Sequence, residues 1–377
     1  MKAIVNGKII IKNDILENKI LIFDEKIIDI CEEVPSECKE IIDAKGMYIS
    51  PGLIDIHIHG NCNSDTMDST VEAIETISKG ICKNGVTSFL PTTMTMGKSD
   101  IYRAFENIKE CMNRNIYGAK VMGVHMEGPF INGGNKGAQN DKYILKPNFE
   151  LVKDYIDIIK IITYAPEEDE NLEFTKEIKK NTNITLSIGH SSGNYEIAKK
   201  AIDYGVSNIT HLFNAMTPIS HREPGVVGAA LMNGTYCEII ADEVHVNKEM
   251  FQFVLNNKGR EKIVLITDSM RAGGMGDGKY DLGGQDVYVK GNAARLKSGN
   301  LAGSILKLNK AVYNFFKNTN LTFYEAINMA SLNPAKSIGV DNKKGSLEIG
   351  KDADISIFDE EMNCYLAISE GKKIFEK

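Results

Sequence analysis

Side chains that could bind a metal ion recur in this sequence where apolar runs end. The first such place is residues 51–60, which read Pro-Gly-Leu-Ile-Asp-Ile-His-Ile-His-Gly. Because the side chains of a β-strand alternate between two faces, His57 and His59 project from the same face. Two imidazoles on one face at the carboxyl end of a strand are typical of a divalent-metal site. A chance pair is the alternative, so the interpretation depends on whether later strands also end in ligands.

Later runs do end in such residues. Glu127, His190 and His211 each follow an apolar run, and Asp268 ends the run 262–267. Two histidines and one glutamate that leave a position open for water are typical of a catalytic, zinc-type site. A metal of this kind lowers the pKa of bound water to about 7. Asp268 is the predicted general acid/base, which takes a proton from that water and returns it to the leaving group; the alternative is a strand-end cap.

The elements that must position these residues are eight apolar runs, which alternate with helical patterns. The runs are residues 53–59, 86–91, 119–126, 158–164, 184–189, 207–211, 236–241 and 263–268. This alternation predicts a (β/α)8 TIM-like barrel, in which catalytic groups gather at the carboxyl ends of the strands. A doubly wound open sheet is the alternative fold. We assign the barrel to residues 51–344.

The two chain ends predict a second, smaller unit. Residues 1–50 read as short strands with turns at Asn6-Gly7 and Asp24-Glu25, too few to bury a core alone. Residues 345–377 supply further strands, so we expect a discontinuous small β-sandwich domain built from both ends. Before it, a hairpin at 280–300 and helices at 303–317 and 322–332 are expected, the last ending before Asn333-Pro334.

Three further residues could serve a substrate or simply stabilise loops. His245 follows strand seven and could orient a substrate or cap a loop. The direction of His125 is open, because the turn begins beside it. Arg222 lies in the loop after strand six, close to Asn214-Ala215, and an arginine fork suits an anion such as phosphate. A solvated surface arginine is the alternative.

Composition excludes several classes of function. The chain has 377 residues, 42% of them hydrophobic, and a net charge of −7, which argues against nucleic acid as a partner. No apolar run has the length of a membrane helix, and charge interrupts the N-terminus too soon for a signal peptide. Seven scattered cysteines without a Cys-x-x-Cys pair suggest free thiols. We therefore expect a cytoplasmic protein that contacts neither membrane nor nucleic acid.

The motifs together resemble the N-acetylglucosamine-6-phosphate deacetylases of the amidohydrolase superfamily. Beside residues 51–60, the segments that carry the resemblance are His-Met-Glu-Gly-Pro-Phe at 125–130, Gly-His-Ser at 189–191, Thr-His-Leu-Phe-Asn-Ala-Met at 210–216, Arg-Glu-Pro-Gly at 222–225, Ala-Asp-Glu-Val-His at 241–245, Thr-Asp at 267–268 and Leu-Ala-Gly-Ser at 301–304. They span nearly the whole chain.

The resemblance implies a homodimer that hydrolyses N-acetyl-D-glucosamine 6-phosphate to D-glucosamine 6-phosphate and acetate, with a metal-bound hydroxide as nucleophile. It implies one or two divalent metals per subunit, zinc first, with iron, manganese or cobalt as alternatives. It would place Glu127, His190 and His211 on the main metal, His57 and His59 on a second metal bridged by Glu127, and Asp268 as acid/base.

The resemblance also implies a set of substrate contacts. The sugar and acetamide would meet Ala138, Gln139 and His245, and the acetyl group would lie under Leu301, Ala302 and Gly303. The phosphate would be bound by Asn214, Ala215 and Arg222, with Arg222 from the neighbouring subunit.

Two departures and three alternatives accompany this resemblance. Some members carry histidine where this chain has Gln139, which can donate a hydrogen bond but carries no charge. Family members also divide by whether the strand-one pair is intact, and here His57 and His59 are both present, which permits a second metal. Many superfamily members bridge two metals through a strand-four lysine, whereas Lys160 lies well before the end of that strand, so Glu127 is the better bridge. The alternatives are a deacetylase for the galactosamine epimer, a deaminase or cyclic amidase on the same scaffold, and a non-catalytic binding protein.

Overall fold

The structure, a computed structural model, describes residues 1–114 and 116–377. In chain order its strands are β1 (Lys2–Ile11), β2 (Asp14–Phe23), β3 (Ile27–Cys31), β4 (Glu40–Asp43), β5 (Tyr48–Pro51), β6 (Leu53–Ile58), β7 (Gly60–Asn61), β8 (Ser64–Asp65), β9 (Val86–Thr93), β10 (Lys120–Val121), β11 (Val124–Glu127), β12 (Ile159–Tyr164), β13 (Thr185–Ile188), β14 (Asn208–Ile209), β15 (Tyr236–Ile240), β16 (Ile263–Ile266), β17 (Gly278–Leu282), β18 (Gln285–Lys290), β19 (Ala293–Leu296), β20 (Ile355–Phe358), β21 (Cys364–Ser369) and β22 (Lys372–Glu376).

The α-helices connect these strands. They are α1 (Val71–Cys82), α2 (Lys98–Asn113), α3 (Glu173–Asn181), α4 (Tyr195–Asp203), α5 (Gly225–Met232), α6 (Glu249–Lys258), α7 (Leu308–Lys317), α8 (Phe323–Asn328) and α9 (Leu332–Ser337). Short 3-10 turns lie between them, among them Phe149–Leu151 and Lys153–Tyr155. Among the described residues, every helix falls short of the length and apolar content that crossing a bilayer requires.

Eight parallel strands form the barrel, in the order β6, β9, β11, β12, β13, β14, β15, β16. A parallel bridge between Ile58 and Ser269 closes the ring. At the same seam the backbone N–H of Asp268 donates to the carbonyl of His57 over 2.9 Å. Every residue of β6 and β16 is buried, as expected for parallel strands covered on both faces. The predicted (β/α)8 barrel is therefore confirmed, and the open sheet is wrong.

The outer helices pack against this ring through one apolar face. In α7 the buried residues include Leu308, Val312 and Phe315, which follow helical spacing, and the Phe315 ring stacks on Phe251 of α6 at 5.0 Å. The predicted start of this helix at residue 303 is wrong. Ser304 is instead held in extended backbone, because its N–H donates to the Asp268 carbonyl over 2.7 Å.

The two chain ends form one mixed sheet, in the order β22-β21-β20-β5-β1-β2-β3, with β4 beside β1. The link between the ends is the antiparallel pair β5 and β20. Apolar residues of both ends, among them Ile4, Phe23, Ile355 and Leu366, share one core. The domain boundaries at 50 and 345 stay a prediction.

Three further local predictions are wrong. Asn6-Gly7 is a bulge inside β1 rather than a turn, and the turn comes after Ile11, where β2 begins at Asp14. The segment predicted to end before Asn333-Pro334 breaks after Asn328, and α9 contains both residues. A proline fits there because the first turn of a helix has no intrahelical use for its N–H groups. The predicted hairpin at 280–300 is a three-stranded sheet, β17-β18-β19.

Candidate metal and substrate site

One carboxylate lies at the centre of the ionisable groups at the carboxyl end of the barrel. Glu127 ends β11 and is 2% exposed. Its Oε1 lies 3.2 Å from His190 Nε2, 3.1 Å from His211 Nε2 and 3.3 Å from His57 Nε2. Its Oε2 lies 3.3 Å from His59 Nε2. Four imidazoles from three elements therefore present the same nitrogen to one carboxylate.

The other nitrogen of each imidazole is already bound. His59 Nδ1 lies 3.2 Å from the carbonyl of Thr92, and the same contact to a backbone carbonyl recurs in two other histidines. The pairs are His190 Nδ1 with Asn135 O at 2.9 Å and His211 Nδ1 with Asn214 O at 3.1 Å. A carbonyl only accepts, so these contacts place the proton on Nδ1 and leave Nε2 free as a donor atom for a metal.

The fourth histidine is oriented by a carboxylate. His57 Nδ1 lies 2.9 Å from Oε2 of Glu238, a buried residue within β15. That oxygen also accepts the backbone N–H of His211 over 3.2 Å. Among the described residues His57 Nε2 makes no hydrogen bond, although it is fully buried. A buried polar atom without a partner is costly, and a bound cation would satisfy it.

The ionisable groups of the cluster shift one another's pKa. Burial opposes ionisation of Glu127, but His57, His190 and His211 hold the pKa of its carboxyl well below the usual range. Burial likewise opposes the charge on His59, yet Asp268 and Glu127 raise the pKa of its imidazole to about 10. The carboxylates therefore stabilise positive charge at this end of the barrel, which is either a proton on Nε2 or a cation that replaces that proton. The ligand type, burial and free Nε2 atoms fit a divalent metal.

Left-handed backbone occurs at three of these strand ends. His190, His211 and Asp268 have φ of 49°, 31° and 49°. Non-glycine residues rarely adopt this region, at a cost of about 1–3 kcal/mol each, and such strain concentrates at functional sites. Here the conformation ends the strand and turns each side chain toward Glu127.

Asp268 lies beside the same imidazoles. Its Oδ1 is 3.3 Å from His59 Nε2 and 3.6 Å from His57 Nε2. Burial opposes its ionisation, but the adjacent His57 and His59 lower the pKa of its carboxyl. An ionised carboxylate can accept a proton from a neighbouring water.

The amide of Gln139 is fully engaged in this structure. Its Nε2 donates to Glu127 Oε2 over 2.6 Å, and its Oε1 accepts the backbone N–H of Thr95 over 2.8 Å. Because a backbone N–H can only donate, the Thr95 contact fixes which end of the amide faces Glu127. Gln139 therefore holds the central carboxylate, a contact that the predicted role at the acetamide did not anticipate.

His245 is fixed by the carboxylate at the end of the seventh strand. Asp242 Oδ2 lies 2.7 Å from His245 Nδ1, and its Oδ1 accepts the backbone N–H groups of Val244 and His245 over 2.9 and 2.8 Å. The Nε2 of His245 is thereby directed away from Asp242. His245 lines the same cavity as Glu127.

A cavity of about 460 Å³ opens above the cluster, a volume typical of small-molecule sites. Twelve of the predicted site residues line it: His59, Glu127, Ala138, Gln139, His190, His211, Asn214, Ala215, His245, Asp268, Leu301 and Gly303. The structure thus brings residues from most of the strand ends together around one space.

Three predicted site residues do not line the cavity. His57 lies beneath it, against Glu127. Ala302 is fully buried in an apolar cluster that includes Met270 and Leu282. Arg222 is exposed on the loop after His211.

His125 lies near the site without lining the cavity. It is fully buried, with Nδ1 2.8 Å from the carbonyl of Ile56 and Nε2 2.7 Å from Thr163 Oγ1. Burial and the neighbouring His57 lower the pKa of its imidazole to about 4. It is a neutral, hydrogen-bonded core residue.

Sequence reasoning missed several residues that serve the site. Asp55 of β6 is buried and accepts from Thr267 Oγ1 over 2.6 Å, and burial raises the pKa of its carboxyl to about 7. Asp55 lies two residues before His57 in an apolar strand, so both side chains project from the same face, and this spacing could have identified Asp55 from the sequence. A similar signal marked Glu238, the one charged residue in β15. Arg295 also lines the cavity, and no motif indicated it.

Comparison with known proteins agrees with this geometry. The sequence model described as the Amidohydrolase family matches residues 48–375. An N-acetylglucosamine-6-phosphate deacetylase of Bacillus subtilis (strain 168) is 39% identical, covering 97% of this chain and 95% of its own. An N-acetylgalactosamine-6-phosphate deacetylase of Escherichia coli O157:H7 is 36% identical, covering 82% and 83%. The crystal structure of N-acetylglucosamine-6-phosphate deacetylase from Pasteurella multocida superposes with a TM-score of 0.93 at 31% identity over 99% of both chains.

Gln139→Ala should weaken binding of divalent metal, because Glu127 loses the donor that fixes Oε2. Removing a group that orients a metal ligand typically lowers metal affinity about 10- to 100-fold. The measurement is competition for Zn²⁺ against a chromophoric chelator. Gln285→Ala is the matched control, since Gln285 donates to the neighbouring Ala138 carbonyl and does not touch Glu127. Equal affinities of the Gln139 variant and the wild type would show that the contact does not support metal binding.

Proposed function

Because the chain belongs to the amidohydrolase family, we propose that it hydrolyses the acetamide of N-acetyl-D-glucosamine 6-phosphate to D-glucosamine 6-phosphate and acetate. The observation that carries the proposal is the convergence of imidazole Nε2 atoms on Glu127, with Asp268 beside them, at the floor of one cavity. Relatives that carry this activity in their names cover nearly the whole chain.

The histidines and Glu127 would hold the metal. His190 and His211 would share the main ion with Glu127, and His57 and His59 would bind a second ion on the same carboxylate. We propose zinc, since imidazole and carboxylate ligands suit it, with iron, manganese or cobalt as alternatives. When bound, such an ion lowers the pKa of water and polarises a carbonyl oxygen.

Asp268 would move the proton that the reaction requires. Hydrolysis forms a bond from the water oxygen to the acetyl carbon and breaks the carbon–nitrogen bond. The lowered pKa of Asp268 keeps its carboxylate ionised and ready to accept the proton of the attacking water. The same proton, delivered to the nitrogen, lets the sugar leave as a neutral amine rather than an anion.

His245 and the segment Leu301–Gly303 would position the sugar. Because Asp242 holds Nδ1–H of His245, its Nε2 would accept a hydrogen bond from a sugar hydroxyl. Leu301 and Gly303 line the cavity and would cover the acetyl group, while the buried Ala302 anchors them. Ala138 lines the same wall.

Phosphate recognition would use the loop after His211. Asn214 and Ala215 line the cavity, and Arg222 extends from the same loop into solvent. We propose that the protein is a homodimer in which Arg222 reaches the cavity of the neighbouring subunit. This accounts for an arginine that is exposed and lies outside the cavity of its own chain.

The galactosamine epimer is the second candidate substrate. Its support is the Escherichia coli relative, which is named as an N-acetylgalactosamine-6-phosphate deacetylase and is 36% identical. The two sugars differ at one hydroxyl, so the chemistry at Glu127 and Asp268 would be identical.

We also propose a cytoplasmic location, because all seven cysteines are free thiols.

Asp268→Asn should abolish most turnover while substrate still binds, because asparagine cannot accept the proton. General acid–base groups contribute about 100- to 10,000-fold, so kcat for acetate release should fall by that amount with KM little changed. Both phosphorylated epimers are assayed side by side. Asp277→Asn, on an exposed loop outside the cavity, serves as control. Near-normal kcat in the Asp268 variant would refute its role, and no acetate from either epimer with wild-type protein would refute the function.

Mixing two inactive variants tests the shared site. A heterodimer of Asp268→Asn and Arg222→Ala subunits has one cavity with both residues intact if Arg222 acts across the interface. Random exchange at a 1:1 ratio should therefore restore about a quarter of wild-type activity toward the phosphorylated sugar, since half of the dimers are mixed and each has one good site. Activity that stays at the average of the two separate variants would place Arg222 in its own subunit's site or outside any site.

A further inference from the structure

The chain has six arginines, and four of them are paired with carboxylates. The pairs are Arg103 with Asp100, Arg114 with Glu110, Arg260 with Glu325 and Arg271 with Asp68. Within the described part of the chain, Arg222 and Arg295 have no carboxylate within ion-pair distance. Arg222 is already part of the proposed phosphate site. Arg295 is therefore the guanidinium whose charge nothing in the fold explains.

Arg295 lies at the mouth of the substrate cavity. It is an exposed residue of β19, and its side chain lines the cavity together with Asn300 and Leu301. Its backbone pairs with that of Leu301, and its Nη1 donates to the Gly299 carbonyl over 2.8 Å. This contact directs the guanidinium along the turn 296–300 while leaving four of its five N–H donors available.

The backbone around Arg295 is well anchored. Leu296 N–H donates to Asn300 O over 2.9 Å, and Ala302 N–H donates to Ala294 O over 3.1 Å. Ala294 and Ala302 are both buried in the apolar cluster beneath the turn. The arginine is thus held in place by the same segment that carries Leu301 and Gly303, rather than by a free loop.

We propose that Arg295 is a specificity-determining residue that binds the 6-phosphate of the substrate from within the same chain. This inference rests on the proposed function and extends it. The acetamide on C2 must meet the Glu127 cluster at the cavity floor, and the phosphate on C6 projects from the other side of the sugar ring. The phosphate therefore points away from that cluster, and the exposed Arg295 lines the same cavity as the Asn214-Ala215 pair.

The chemistry at the mouth favours an anion over a neutral hydroxyl. Among the described residues that line the cavity, Arg295 is the one with a permanent positive charge. A sugar phosphate carries a charge of about −1.5 to −2 at neutral pH, and the guanidinium fork matches its oxygens. With Arg222 offered by a partner subunit, two cations would face one dianion in a protein whose net charge is −7.

The test compares Arg295→Ala and Arg295→Lys with wild type on two substrates, N-acetylglucosamine 6-phosphate and unphosphorylated N-acetylglucosamine. Loss of a charge-assisted contact should lower kcat/KM for the phosphorylated sugar about 10- to 100-fold, mainly through KM. The value for the plain sugar should stay within about twofold, and lysine should restore part of the loss. Lys297→Ala is the control, since Lys297 is exposed two residues away and does not line the cavity.

A second readout does not depend on turnover. Binding of the product glucosamine 6-phosphate, measured by calorimetry, should weaken by a similar factor in Arg295→Ala, and thermal melting should match wild type. Equal losses on both sugars would overturn the proposal, since they would indicate misplacement of the 301–303 segment. Unchanged kinetics in Arg295→Ala would also overturn it. If wild type releases no acetate, the proposed function fails, while product binding still reports on Arg295.

Discussion

The buried carboxylate of Glu127 is the constraint on which the rest of the site depends. A carboxylate that is 2% exposed is stable only if positive charge or donors surround it. Four imidazoles and the amide of Gln139 meet that demand. Because each Nδ1 is bound elsewhere, only the Nε2 atoms face Glu127, and this orientation is the one that metal binding would require.

The barrel supplies this arrangement through strand ends and not through loops alone. Closure of the ring at Ile58 and Ser269 brings the first and last strands together, so that Asp268 lies against His57 and His59. The left-handed backbone at Asp268, His190 and His211 turns the side chains inward at the point where pairing stops. Behind them, Asp55 and Glu238 tie neighbouring strands to the cluster.

The sequence alone was sufficient for the barrel because parallel strands buried on both faces read as continuous apolar runs. Residues that touch the site from a strand end, such as Glu127 and His211, shared that register and were predicted. Contacts set by tertiary packing were not. Asn6-Gly7 is a residue pair common in turns, but here it forms a bulge inside β1. The amide of Gln139 is oriented by its hydrogen bond with Thr95, which is far away in sequence. The place of Arg295 in the cavity wall depends on how the sheet β17-β18-β19 packs on the barrel, and no local sequence pattern predicts that packing.

The most direct test of the account is acetate release from N-acetylglucosamine 6-phosphate by protein stripped with a chelator and then resupplied with one divalent metal at a time. Elemental analysis of the same samples gives the metal content. If the histidines and Glu127 hold the catalytic metal, activity falls to background when the metal is removed and returns on addition of Zn²⁺ or another ion that imidazole and carboxylate ligands accept. Undiminished acetate release from protein that elemental analysis finds free of metal would contradict it.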